Sequence, residues 1–264
     1  MLSLDGRCLE TAWWGPGPET APTLVLLHEG LGSVALWRDV PAALAAATGC
    51  GVFAYSRFGY GQSDPAPLPR PMTYMQDEAR DVLPRVMDAA GIRQAILVGH
   101  SDGGSIAAAY AGTVADPRLV GVVMIAAHFF VEELSIASIA AIRQTFEHGD
   151  LRPRLVRYHR AVDVAFYGWN DAWLDARFRD FDLRPLLPGI TVPMLALQGS
   201  DDPYGTDAQL RVLERLARAP LETRMIPGAR HSPHLEAKTE TLAAIGGFVG
   251  TLLTGHNAQQ DIMA

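Results

Sequence analysis

Residues 97–105 read LVGHSDGGS: an apolar run ends in a serine set between glycines, and an aspartate follows the serine directly. Gly99-His100-Ser101-Asp102-Gly103 fits the pattern G-x-S-x-G. Its surroundings carry more weight than the pattern, because a strand-length apolar run (AILVGH, 95–100) precedes it and a helical stretch (101–114) follows. At such a junction the chain must turn sharply. Small neighbours then allow the central residue a strained conformation with its hydroxyl exposed. The helix start adds free backbone N–H groups and the positive end of a dipole, which favour developing negative charge. A carboxylate at 102 is favoured there too, with its side chain free to point away from the serine.

Outward from this junction, short apolar runs alternate with longer amphipathic ones. TLVLLH (23–28), GVFAYS (51–56), AILVGH, LVGVVMIAA (119–127), VPMLALQG (192–199) and LETRMIP (221–227) read as strands buried on both faces. Residues 37–48, 74–90, 101–114 and 206–217 read as helices, the last opened by a capping box of Thr206 and Gln209. Leu242, Ile245, Val249 and Leu252 predict a final amphipathic helix, and the tail from 255 should fray. The βα alternation predicts an α/β fold with a mostly parallel central sheet flanked by helices. Residues 130–186 break the rhythm. They hold no convincing strand but nine of the 21 aromatic residues, which predicts a helical insert, read as a cap or lid over a pocket. The expected division is 1–129 and 187–264 for the core, with 130–186 inserted.

The composition is that of a folded globular protein, 48% hydrophobic and 19% charged, and its net charge of -7 argues against nucleic acid as a partner. A small molecule is the expected partner. Cys8 and Cys50 make neither a disulfide framework nor a metal site. The first ten residues do not resemble a secretory signal, and no apolar run reaches the ~20 residues needed to span a bilayer. A cytoplasmic protein with no membrane partner is expected; nothing in the sequence indicates an oligomer. GYGQS lacks the complete G-x-G-x-x-G of a dinucleotide loop, so no cofactor is expected.

A serine hydroxyl needs a base, and the base needs an orienting acid. GSDD supplies Asp201 and Asp202 after one predicted strand, and GARHSPH supplies His231 after the next, giving the chain order Ser, Asp, His. With this order the sequence resembles the α/β-hydrolase superfamily, from about residue 20 to 250. Four motifs carry the resemblance: LLHEGLGS for the oxyanion loop, SRFGYGQSD for the next glycine loop, GHSDGG for the nucleophile elbow, and GSDD with GARHSPHLE for the acid and histidine loops. It implies Ser101 as nucleophile, Asp202 as acid and His231 as base, with the backbone N–H groups of Gly30 and Asp102 as the oxyanion hole. Asp201 is the next candidate for the acid, and Glu132 or Glu133 a remoter one. Glu29, His128 and Trp169 are candidate substrate contacts, while His28 and His100 are expected to hold loops and His234 to enter a helix.

Two features depart from the family or stand outside it. Relatives usually carry His-Gly where this chain has His28-Glu29; the Glu29 carboxylate is expected to turn away and pair with Arg57, the alternative being recognition of a donor group on the substrate. Arg154, Arg157 and Arg160 read as a solvated helix face, or else as a site for a substrate carboxylate or phosphate. A serine in the elbow implies acyl transfer to water, on a small or medium carboxylic ester. A thioesterase, a lactonase, a carbon–carbon hydrolase and a ligand receptor remain alternatives.

Overall fold

The computed structural model describes residues 1–263, with side chains through Gly255. Nine strands form: β1 (Leu2–Leu4), β2 (Arg7–Leu9), β3 (Thr11–Trp14), β4 (Thr23–Leu27), β5 (Gly51–Tyr55), β6 (Ala95–His100), β7 (Leu119–Ile125), β8 (Met194–Gly199) and β9 (Leu221–Ile226). The first two make a small antiparallel pair, and the rest form one sheet in the order β3-β5-β4-β6-β7-β8-β9. Only β3 runs antiparallel in it, against β5.

Strands β4, β5, β6 and β8 are buried along their whole length, as their unbroken apolar runs predict. Strand β9 differs: it closes the sheet at one edge and is largely half-buried or exposed. Strands β1–β3 have no counterpart in the sequence reading, since three- and four-residue strands are too short to show a period.

Parallel crossovers place helices on both faces. One face is covered by α1 (Val40–Thr48) and α10 (Lys238–Met263), through Val40, Leu44, Ile245 and Val249. The other is covered by α2 (Tyr74–Asp77), α3 (Leu83–Ala89), α4 (Asp102–Thr113) and α8 (Ala208–Leu216). A π-helical turn, Glu78–Val82, joins α2 and α3 into the single helix expected. Helix α4 is buried from Asp102 through Ala111, because its glycines and alanines let it lie close on β6 and β7.

Two local expectations fail. The helix expected over 37–48 is split by Arg38, at φ 55°, into a 3-10 turn, Val34–Trp37, and α1. The capping box does not close, because Gln209 turns its side chain to Phe130 O and Glu132 instead of Thr206. The tail expected to fray lies almost wholly outside the residues whose side chains are described.

Between β7 and β8 lie α5 (Glu133–His148), α6 (Leu151–Leu155) and α7 (Val162–Leu174), followed by two 3-10 turns. Aromatic rings hold them together: Phe146 stacks on Phe166 at 3.6 Å, and Trp173 and Phe181 pack on Phe178. Buried Asn170 of α7 donates to Ile139 O of α5 at 3.0 Å. α9 (Pro233–Glu236) is one short turn before α10. No helix among the described residues is long and apolar enough to cross a membrane.

Candidate active site

Ser101 stands at the junction of β6 and α4 with φ 52° and ψ -118°, a conformation that costs energy and must be held by its surroundings. Its N–H donates to Ile125 O at 2.8 Å, and its carbonyl accepts from Gly104 N–H, also at 2.8 Å. The glycines on either side are required by close approach. A Cβ at 99 would overlap the Gly103 carbonyl, and one at 103 the Leu27 carbonyl.

The loops after β8 and β9 bring Asp202 and His231 to this hydroxyl. His231 Nε2 lies 2.9 Å from Ser101 Oγ, and its Nδ1 lies 2.8 Å from Asp202 Oδ2. The carboxylate can only accept, so Nδ1 carries the proton and Nε2 is left to accept from the serine. Asp202 also accepts from Tyr204 N–H at 2.8 Å and Gln198 Nε2 at 2.6 Å. Burial alone would push its carboxyl up, but the His231 hydrogen bond and charge, with Tyr204 N–H, hold it below the ordinary carboxylate range.

The other acids lie elsewhere. Asp201 is exposed and accepts from its neighbour Ser200. Glu132 accepts from Thr206 N–H at 3.0 Å and Thr206 Oγ1 at 2.6 Å, fastening the start of α5 to the loop before α8. Glu133 pairs with Arg179.

Gly30 and Asp102 border the pocket beside Ser101, and neither backbone N–H has a hydrogen-bond partner among the described residues. The loop carrying Gly30 is pinned from behind. Buried Arg57 donates to Glu29 O at 2.8 Å, and its N–H donates to His28 Nε2 at 3.0 Å. Burial, reinforced by Arg57, drives the His28 pKa well down, in keeping with a neutral ring that donates from Nδ1 to Glu29 O.

Glu29 corrects one expectation: Arg57 takes its backbone carbonyl, while its carboxylate turns to His100, with Oε2 3.4 Å from Nδ1. The Asp102 carboxylate is fully buried, accepts from Tyr74 OH at 2.6 Å and Trp173 Nε1 at 3.4 Å, and lies 3.8 Å from Arg57. It therefore faces into the protein.

The pocket at Ser101 has a volume of about 100 Å³ and is walled mainly by Leu31, Ile139, Trp169, Trp173 and Tyr204. Trp169 covers Gly30 so closely that any Cβ at 30 would overlap the indole, which explains a glycine there. The Trp169 indole N–H has no partner among the described residues. His128 is buried, and its Nε2 donates to Tyr204 O at 3.1 Å. His234 is the second residue of α9 and packs on His100 at 4.5 Å. Arg154, Arg157 and Arg160 are exposed; Arg154 pairs with Asp150 and Arg160 with Asp64. Only Arg154 lies on α6, which ends at Leu155, so the three share no helix face.

Sequence reasoning misses Trp173 and Tyr204. Trp173 could be found as the i+4 neighbour of Trp169 on one helix face; Tyr204 carries no such signal. Among the described residues no group of three or more His, Cys, Asp or Glu side chains is gathered to hold a metal ion.

The profile of the alpha/beta hydrolase family matches residues 24–245. A protein of Caulobacter segnis, provisionally named carbamate hydrolase RutD, is 37% identical over 110 residues, which span 41% of this chain and 39% of that protein. Among solved structures, a proline iminopeptidase of Mycobacterium smegmatis superposes with TM-score 0.76 at 21% identity, covering 95% of this chain and 97% of its own. The enol-lactonase of Burkholderia xenovorans LB400 gives TM-score 0.67 at 24% identity, with 95% and 98% covered.

Proposed function

The chain belongs to the alpha/beta hydrolase family, and on that premise we propose that it is a serine hydrolase cleaving small carboxylic esters through an acyl-enzyme. The observation that carries this reading is His231 Nε2 at 2.9 Å from Ser101 Oγ with Asp202 2.8 Å behind the ring. Ser101 attacks the ester carbonyl as His231 takes its proton. The oxyanion is received by the N–H groups of Gly30 and Asp102; one such donor is worth about 3–4 kcal/mol where measured. His231 then protonates the leaving alcohol and activates the water that releases the acid, while Asp202 holds the ring and stabilises its charged form.

Residues 130–186 act as the cap in this reading, and Trp169 and Trp173 close the acyl site. The pocket of about 100 Å³ is smaller than the ~150 Å³ cavity that admits benzene, which favours a short acyl group. A carbamate is the second reading, favoured by the partial match to the Caulobacter protein. The same attack would serve it.

Hydrolysis of p-nitrophenyl esters from acetyl to dodecanoyl, set beside a small aryl carbamate and a thioester, tests both readings. We expect the shortest acyl chains to be cleaved fastest, with Ser101→Ala losing at least ~10³-fold while still folded. A well-folded wild-type protein inert across the esters would overturn the ester reading.

A further inference from the structure

Nucleophile, base and oxyanion donor sit on three separate loops, and the reaction needs them in register. A single chain of side chains crosses all three. His100 immediately precedes Ser101, and its Nε2 lies 2.7 Å from the backbone carbonyl of His231 itself. Glu29 immediately precedes Gly30, and its Oε2 lies 3.4 Å from the other nitrogen of His100. We propose that Glu29 and His100 form a second carboxylate–imidazole pair that holds the His231 loop in register with the loops of Ser101 and Gly30. Both are positioning residues, and the role rests on the triad read above.

The proton count supports the pairing. A backbone carbonyl only accepts, so His100 must donate from Nε2. Its Nδ1 then faces the Glu29 carboxylate, 3.4 Å away. The contact is an ion-pair distance and not a formed hydrogen bond, and among the described residues His100 Nδ1 has no hydrogen-bond partner, so the Glu29 carboxylate is the charge it faces. The rival cation for Glu29, Arg57, is occupied by the carbonyls of residues 28 and 29 and by Asp102. Room for the carboxylate is made by Gly32, where a Cβ would overlap Glu29 Oε2. The ring has no freedom to leave: His100 is 2% exposed, with His234 packed on it at 4.5 Å and Trp37 at 6.5 Å. Burial would raise the Glu29 carboxyl, yet the contact with His100 holds it well below the ordinary range. This arrangement explains why an acid stands where relatives carry glycine.

The test compares His100→Leu, His100→Gln and Glu29→Gln with the wild type on the best p-nitrophenyl ester and by crystallography. His100→Leu should lower kcat about 10- to 100-fold with KM changed less than about twofold, as expected for a misplaced base. His100→Gln, whose amide can still donate to the His231 carbonyl, should recover most of that loss. Glu29→Gln should lower kcat about 3- to 10-fold alone and add nothing to His100→Leu, because it acts through the ring. The crystal structure of His100→Leu should show His231 Nε2 drawn away from Ser101 Oγ. Unchanged kcat in His100→Leu, a Gln variant no better than Leu, or an undisturbed His231 would overturn the proposal. A wild type inert on every ester would instead sink the ester reading, and the crystal structure would still decide the positioning role.

Discussion

Ser101 and Trp169 face the same pocket, yet they are put there in different ways. The serine is set by its own neighbours: Gly99 and Gly103 permit a turn that larger residues would block, and β6 and α4 fix its direction. The tryptophan reaches the pocket because the rings of α5 and α7 pack as they do and because Gly30, far away in the chain, leaves space for it. On the proposed reading the nucleophile is placed mainly by local backbone geometry, and the acyl wall by distant side-chain packing. The first kind of placement can be read in a sequence; the second hardly can.

Asp202→Asn tests the first half of that contrast most severely. The amide could donate to His231 and favour the wrong tautomer, while the loop keeps its shape. In a protease triad the same change costs about 10⁴-fold in kcat, and a loss of similar order is expected here, with the melting temperature nearly unchanged. A fall below tenfold would mean that Asp202 is not the orienting acid, whatever its distance from the ring.

Gly30→Ala joins the two halves. Its methyl group overlaps the Trp169 indole, so either the indole or the oxyanion loop must move. A shift of about 1 Å can cost ~10²-fold, and we expect a 10- to 100-fold loss in kcat/KM. Trp169→Ala should relieve much of this loss in the double variant. If the two losses simply add, the tryptophan does not set the position of the loop.

This contrast also explains what the sequence makes legible. The parallel sheet follows from apolar runs at strand length, and the loops bearing Ser101, Asp202 and His231 follow from small-residue motifs at strand ends. The partner of Glu29 does not follow. Arg57 is the partner the sequence suggests, and only the fold reveals that it is spent on backbone carbonyls while His100 faces the carboxylate. Strand β9 reads as buried by analogy with the runs before it, although Glu222, Thr223 and Arg224 in its middle fit the edge position that the topology gives it. Glu132 looks like a spare acid and instead ties α5 to the loop before α8.

The acid response should differ between the two regions. In the core, burial would raise the Asp116 carboxyl, but Arg118 and Tyr110 hold it down to about 2 against an ordinary 3.8. A depressed folded-state pKa contributes stability that is full above about 3.8 and lost as pH falls toward 2. The shift corresponds to about 2 kcal/mol. Asp116→Asn should therefore lower stability by about that much at neutral pH and flatten its fall between pH 4 and 2. The ion pairs of the inserted helices, such as Arg152 with Asp163, are solvent-exposed and should give no comparable step in urea melts followed against pH.

Trp173 is one of the points at which the helices between β7 and β8 are fastened to the rest of the molecule. Its indole N–H reaches Tyr74 OH at 3.1 Å and Asp102 Oδ1 at 3.4 Å, so a residue of α7 meets the first turn of the helix that carries the elbow. Trp173→Phe keeps an aromatic ring against Phe178 but removes the donor and part of a fully buried ring. Asp102 retains Tyr74 and Arg57, so no bare buried carboxylate is created. The cost should then be about 1 kcal/mol for the lost hydrogen bond, with a further roughly 1–2 kcal/mol for the cavity left by the smaller ring. The more telling readout is selectivity. With the fastening loosened, the acyl wall formed by α7 should yield, and cleavage of longer acyl chains should gain relative to short ones while the reactivity of Ser101 toward a small serine-directed phosphate ester stays the same. A change in that reactivity would mean that the inserted helices help to place the chemistry as well as the selectivity, and the division between the two regions would fail.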